Sequence, residues 1–187
     1  MISQVVKQTN IPLPVVSKGK VRDIYDIDNK LLIITTDRIS AFDFVLPSPI
    51  PLKGICLNQL SKFWFDYTKD IVPNHLISTE LDDFPEKLQG YSDHLKYRTM
   101  LAKKTQVIPI ECIVRGYISG SAWKSYKKDE TVCGIKLPSG LQESEQFDKP
   151  LFTPSTKAET GHDINISFDK MIELVGYSIA GQLREFS

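Results

Sequence analysis

The chain has 187 residues, which suits one large domain or one and a half small ones. Its 23 basic and 23 acidic side chains cancel, which argues against nucleic acid as a partner, because bulk electrostatic binding needs a basic surplus. No apolar run is long enough to span a bilayer, no signal-peptide pattern opens the chain, and the 3 cysteines form no Cys-x-x-Cys pair. A cytoplasmic protein with no membrane partner is therefore expected.

A β-hairpin entered through a basic loop is predicted near the N-terminus. Residues 21–25 alternate apolar and charged side chains, and residues 31–36 are typical of a buried strand. Such a hairpin can fold over nucleotide phosphates, because its cations supply charge and a glycine permits close backbone approach. The candidates are Lys18, Gly19, Lys20 and Arg22. The alternative is an exposed basic turn beside an edge strand, and neither a Walker loop nor a dinucleotide fingerprint is present.

A charged cluster directly follows the second strand of this hairpin. Loops at strand ends are held by a rigid sheet and often form ligand sites. The candidate residues are Asp37, Arg38, Ser40 and Asp43. The alternative is a turn that satisfies itself, with the Asp37 carboxylate paired to Arg38.

The middle of the chain is predicted to hold one helix and two strands. Helical spacing from residue 57 places four large side chains on one face, which is predicted to be core: Leu57, Leu60, Trp64 and Tyr67. Residues 70–95 are predicted to be irregular, residues 98–105 a strand and residues 107–114 a second long strand. The junction between these strands is the candidate hinge, which gives domains 1–106 and 107–187.

An anion site is predicted where the second long strand ends. Arg115 lies at the end of alternating β-branched residues, directly before a loop rich in glycine and serine. Its guanidinium offers a planar fork of donors, and the loop adds backbone N–H and hydroxyl donors from Ser119, Gly120 and Ser121. The alternative is a solvated arginine before an ordinary turn.

The last third of the chain contains a second polar cluster. A short helix is predicted over residues 122–128 and a loop over 129–150, after which Ser155, Thr156, Lys157 and Glu159 follow a proline. A lysine beside hydroxyls suits a carboxylate or phosphate ligand, and a plain polar loop is the alternative.

One amphipathic helix is predicted at the C-terminal end. Ser167 is placed to cap it, and apolar residues keep helical spacing up to Ser187. Because this pattern stops without a further strand to cover, it is interpreted as the truncated end of a longer parent.

Five stretches, in this order, resemble the longer form of the phosphoribosylaminoimidazole-succinocarboxamide synthase (SAICAR synthetase) family: residues 19–25, 36–43, 113–123, 140–144 and 152–159. The resemblance implies an α+β fold of SAICAR synthase type. Residues 1–106 would form an antiparallel, nucleotide-binding domain similar to a kinase small lobe. Residues 107–187 would form the first part of a larger α/β substrate-binding domain, incomplete at its C-terminus.

The resemblance also implies a function. The family joins L-aspartate to carboxyaminoimidazole ribonucleotide, using ATP and Mg²⁺, in purine biosynthesis. By position, Lys18, Gly19, Lys20, Arg22, Lys104 and Glu111 would bind ATP. The substrates would contact Asp37, Arg38, Ser40, Asp43, Arg115, Ser119, Gly120, Ser121, Ser155, Thr156, Lys157 and Glu159, with Arg115 and Lys157 taking part in catalysis.

The family's metal ligands are expected beyond residue 187, so this chain is predicted to have little or no activity of its own. The competing hypotheses are a kinase-like phosphoryl transferase and a non-catalytic nucleotide-binding module. The kinase hypothesis is weakened because no His-Arg-Asp or Asp-Phe-Gly stretch is present.

Overall fold

The computed structural model describes residues 5–42, 44–157 and 163–187. The chain divides into two compact units, Met1–Gln106 and Val107–Ser187. The strands of the first unit are β1 (Val15–Lys18), β2 (Arg22–Ile27), β3 (Lys30–Thr35), β4 (Ser40–Ala41), β5 (Phe44–Val45), β6 (Leu76–Ser78) and β7 (Thr99–Lys103). Its helices are α1 (Lys53–Tyr67) and α2 (Ser92–Leu95), with 3-10 turns at Leu81–Asp83 and Glu86–Tyr91.

A five-stranded antiparallel sheet, in the order β1-β2-β3-β7-β6, organises the first unit. The predicted hairpin is confirmed as β2 and β3, joined by Asp28 and Asn29 with φ angles of 46° and 62°. Positive φ at both turn residues matches the right-handed twist of the strands. One face of the sheet covers the core, whose buried members include Tyr25, Leu32 and Leu88.

The apolar face of α1 is not core, so that prediction is wrong. The four side chains are exposed to 38%, 55%, 55% and 67% for Leu57, Leu60, Trp64 and Tyr67. The buried residues of the helix are Gly54 and Asn58. The Asn58 amide donates to the carbonyl oxygens of Tyr97 and Thr99, at 3.1 and 3.3 Å. Polar bonding and close backbone packing therefore orient α1, rather than hydrophobic burial.

Residues 70–95 are more ordered than predicted, because β6 pairs with β7 and two 3-10 turns precede α2. In the second unit, the strands are β8 (Ile110–Glu111), β9 (Val114–Tyr117), β10 (Thr131–Val132), β11 (Ile135–Lys136), β12 (Gln146–Phe152) and β13 (Ser155–Thr156). Its helices are α3 (Gly120–Asp129), α4 (Phe168–Val175) and α5 (Tyr177–Glu185).

The strand predicted over 107–114 is interrupted, because its two parts have different partners. The first part, β8, pairs with β13, whereas β9 pairs with β12. The segment 129–150, predicted as loop, contains the small β10–β11 hairpin and the start of β12. Arg115 therefore lies in the β9–β12 sheet, which is separate from the β8–β13 sheet.

The C-terminal helix is two helices. Ser167 caps α4 as predicted, since its hydroxyl accepts a hydrogen bond from the Lys170 N–H at 3.1 Å. Gly176, with a φ of 83°, separates α4 from α5. Met171 and Ala180 are fully buried and pack with Ile110 in one cluster. No helix in the described part of the chain is both long enough and apolar enough to cross a membrane.

Candidate functional site

The basic loop between β1 and β2 borders a cavity within the first unit. The cavity has a volume of about 420 Å³, and its wall includes Lys18, Gly19, Arg38 and Pro47. The Gly19 N–H donates to the Arg22 carbonyl oxygen at 2.8 Å, which closes the loop. The Lys18 ammonium donates to the Thr9 carbonyl oxygen at 3.0 Å.

No carboxylate in the described ranges forms an ion pair with Lys18, and Arg22 is exposed at the start of β2. The loop therefore presents positive charge beside a cavity, as a phosphate ligand would require.

Asp37 has a structural environment that contradicts its predicted substrate contact. Its side chain is fully buried, and its Oδ1 accepts from Arg98 Nη1 at 3.0 Å and from the Gly54 N–H at 2.9 Å. Its Oδ2 accepts from the Val6 N–H at 2.8 Å. Burial opposes ionisation, but these hydrogen bonds and the Arg98 charge together lower the pKa of Asp37. A carboxylate so enclosed anchors the chain and cannot reach a ligand.

Arg38 also uses its donors on the protein. Its Nε donates to the Lys20 carbonyl oxygen at 3.1 Å, and its Nη2 donates to the Gly19 carbonyl oxygen at 2.9 Å. The same Nη2 lies 2.8 Å from Asp23 Oδ1, and Nη1 donates to the Lys7 carbonyl oxygen at 2.5 Å. This bonding gives Arg38 a structural role in place of the predicted substrate contact. The predicted Asp37–Arg38 pair is not formed, because each residue has another partner.

Arg115 and Ser121 come together as the sequence predicts. Arg115 Nη2 donates to the Ser121 hydroxyl at 3.1 Å, in the first turn of α3. Arg115 Nε donates to the Thr153 hydroxyl, also at 3.1 Å, and that hydroxyl donates to the Ile113 carbonyl oxygen. Thr153 was missed, although it lies within the 152–159 motif, because its buried position follows only from the β9–β12 pairing.

The loop before α3 has the conformation that its glycine permits. Ser119 precedes α3 in extended conformation, and Gly120 opens the helix with a φ of 59°. The positive φ explains the glycine, since other residues rarely adopt it. Arg115, the two serines and the N-terminal turn of α3 thus form one polar surface.

Lys157 and Glu111 form an ion pair, with 3.2 Å between Nζ and Oε1. The pairing of β8 with β13 brings them together, because Ser155 lies opposite Glu111 and Lys157 lies two residues after Ser155, just beyond the end of β13. Ser155 is buried, whereas both side chains of the ion pair are partly exposed. The Thr156 hydroxyl accepts from the Ile164 N–H at 3.2 Å. An incoming anion would therefore have to compete with Glu111 for Lys157.

The remaining predicted residues lie in varied settings. Ser40 is half-buried in the short β4–β5 ribbon, and Lys104 pairs with Asp26 at 2.5 Å. Asp43 and Glu159 lie outside the described residues. In residues 5–42, 44–157 and 163–187, no group of three His, Cys, Asp or Glu side chains is placed to hold a metal ion. The carboxylates of the described residues therefore do not form a magnesium site of this kind.

Comparisons of this chain with family models and with known proteins point to one family. The family model described as SAICAR synthetase matches residues 15–187. A phosphoribosylaminoimidazole-succinocarboxamide synthase from Syntrophotalea carbinolica is 59% identical, over 97% of this chain and 62% of the relative. The synthase of the same name from Thermodesulfovibrio yellowstonii is 55% identical, over 100% of this chain and 64% of the relative. The chain thus spans less than two thirds of the length of these relatives.

Solved structures agree with the sequence comparison. SAICAR synthase from Saccharomyces cerevisiae, solved in complex with SAICAR, is 46% identical and superposes with a TM-score of 0.88. The match covers 97% of this chain and 62% of that structure. The predicted α+β fold of SAICAR synthase type is confirmed by this likeness.

Proposed function

Because the chain belongs to the SAICAR synthetase family, we propose that it takes part in the ATP-dependent synthesis of SAICAR. In this reaction L-aspartate is joined to the carboxylate of carboxyaminoimidazole ribonucleotide, with release of ADP and phosphate. The reaction belongs to purine biosynthesis. All partners of the chain would then be small anionic molecules.

The observation that carries this proposal is the Arg115 surface. The guanidinium is held at 3.1 Å from each of two hydroxyls, those of Ser121 and Thr153, beside the first turn of α3. Charge, hydroxyl donors and a helix N-terminus together suit a phosphate or carboxylate. We assign the ribonucleotide to this surface, and the relative from yeast, solved with SAICAR, supports the choice of ligand.

The basic loop would bind the phosphates of ATP. Lys18 and Arg22 bring positive charge to the loop, which borders a cavity of about 420 Å³. ATP is used with Mg²⁺, whose ligands the described residues do not supply.

ATP is needed because a carboxylate is a poor electrophile. A carboxylate oxygen of the ribonucleotide attacks the γ-phosphorus and displaces ADP, which gives an acyl phosphate. The amine of aspartate then attacks the acyl carbon, its nitrogen gives up a proton, and the C–O bond to phosphate breaks as the amide forms. The protein groups place the anions and neutralise their charge, and no protein nucleophile is required.

Lys157 would bind a carboxylate of the substrates. Its ammonium is partly exposed and is held 3.2 Å from Glu111, so it is already oriented by a charge partner. We assign it to a substrate carboxylate, with Ser155 and Thr156 shaping the strand that carries it.

The experiment is a product analysis with the protein in excess over carboxyaminoimidazole ribonucleotide, so that even slow turnover is seen by mass spectrometry. SAICAR is expected only when ATP, Mg²⁺, aspartate and the ribonucleotide are all present. ADP that forms without aspartate would support a kinase-like phosphoryl transferase instead. SAICAR that forms equally well without ATP would contradict the proposal for this chain.

A further inference from the structure

The Arg38 side chain donates hydrogen bonds to the backbone of the basic loop. Three of its donor atoms reach carbonyl oxygens, and two of these oxygens belong to the consecutive residues Gly19 and Lys20. The third carbonyl belongs to Lys7, so the guanidinium also joins the N-terminal segment to the loop. A guanidinium can do this because its donors form a rigid planar fork.

Asp23 fixes the guanidinium in place. Its carboxylate is fully buried and lies 2.8 Å from Arg38 Nη2. Its other oxygen accepts from both the N–H and the hydroxyl of Thr9, each at 2.8 Å. The Thr9 hydroxyl in turn lies 3.0 Å from the hydroxyl of Tyr25. A buried network therefore helps to fix the position of Arg38.

The bonds to Gly19 and Lys20 determine where the next amides point. The described chain contains no cis peptide bond, and across a trans peptide the C=O and the following N–H point in opposite directions. Since both carbonyls point toward Arg38, the N–H groups of Lys20 and Val21 both point away from it. Two successive backbone N–H groups that point to the same side offer an anion two donors.

We propose that Arg38 is a positioning residue that holds the backbone of the loop in its phosphate-binding shape. This inference rests on the proposed function, because it takes the triphosphate of ATP as the ligand of the loop. Arg38 also borders the cavity, but its donors are engaged by the protein, so the proposal gives it no bond to the ligand. It acts through the amides of Lys20 and Val21, which it orients by drawing the carbonyls of Gly19 and Lys20 to the other side.

The test compares Arg38→Lys with Arg98→Lys by titration calorimetry on the whole chain. Lysine keeps the charge beside Asp23 but cannot supply the planar fork. Arg98 is the control, because it is also an arginine with a buried carboxylate partner, and its bonds go to Asp37 and Thr35 and not to the loop. Each protein is titrated with ATP, inorganic tripolyphosphate and adenosine, and its melting temperature is recorded.

Arg38→Lys is expected to weaken ATP and tripolyphosphate binding by the same factor, about tenfold or more, because the loop amides are misplaced. Its adenosine affinity should equal that of the wild type. Arg98→Lys should lower the melting temperature and leave all three affinities of the folded protein unchanged. A purely structural Arg38 would behave like Arg98, and equal ATP affinity in Arg38→Lys and the wild type would overturn the inference alone. A wild type that binds neither ATP nor tripolyphosphate would overturn both this inference and the proposed role of ATP.

Discussion

Asp37 accepts a hydrogen bond from Arg98 at 3.0 Å, with the two side chains exposed to only 0% and 2%. The pair joins residues 61 positions apart in the chain. Asp37 also holds the N–H groups of Val6 and Gly54, so one carboxylate fastens three segments of the first unit.

We expect Asp37→Asn to lower the free energy of unfolding by about 3–5 kcal/mol at neutral pH, because it leaves the Arg98 charge buried without its partner. Since the pKa of Asp37 is lowered in the folded state, this stabilisation is complete above the unfolded pKa of about 3.9. It is lost as the pH falls through the folded-state pKa. Urea unfolding at several pH values should show the difference between the proteins shrinking below about pH 4. A difference that stays constant with pH would contradict this.

Gly54 leaves no room for a side chain. A Cβ at this position would overlap the carbonyl oxygen of Thr35 and lie 2.8 Å from Arg98 Nη1. Gly54→Ala should therefore destabilise the first unit by at least about 2 kcal/mol. Gly181→Ala is the matched control, because it also lies in a helix but has nothing within 4 Å of the added Cβ. That change should stabilise by about 0.5–1 kcal/mol. Thermal unfolding measures the stability of both variants. Similar changes in stability for Gly54→Ala and Gly181→Ala would contradict the packing described for Gly54.

Because one face of α1 is exposed, truncating a leucine on that face should change the free energy of unfolding much less than truncating a leucine in the core. Leu60 is 55% exposed, whereas Leu32 in β3 is fully buried. Leu32→Ala should cost about 2–5 kcal/mol through the cavity it leaves. Leu60→Ala should stay within about 0.5 kcal/mol of the wild type. Equal losses in denaturant unfolding would show that this face is covered in solution.

The sequence predicts structure well where the signals are local. The β2–β3 hairpin follows from alternation and two turn residues, and the Ser167 cap lies three residues from the N–H that it bonds. Both depend on neighbours in the chain, which the sequence displays directly.

The failures have a common physical cause, because each depends on a distant partner. Periodicity groups Leu60 and Trp64 on one face of α1, but it cannot show that Gly54 and Asn58 pack on the sheet side. The strand predicted over 107–114 breaks because its parts pair with β13 and β12.

In the candidate site, too, contacts between nearby residues follow from the sequence, whereas contacts with distant residues do not. Arg115 and Ser121 are six residues apart, and their hydrogen bond agrees with the predicted site. The sequence predicts Asp37 and Arg38 as ligand groups because they are charged and follow a strand, but in the structure distant residues bind both. The motif therefore indicates that Asp37 and Arg38 have a role, and their hydrogen-bond partners show that this role is structural.

Titration of this chain with SAICAR tests the role of Arg115 most directly. Arg115→Met removes the guanidinium between Ser121 and Thr153, and Lys170→Met is the control, because Lys170 pairs with Glu173 on the surface of α4. We predict that Arg115→Met weakens SAICAR binding by about 2–5 kcal/mol, which is one to a few orders of magnitude, and that Lys170→Met leaves it unchanged. Equal SAICAR affinity in the wild type and Arg115→Met, with both proteins folded, would contradict the assignment of the ribonucleotide to this surface.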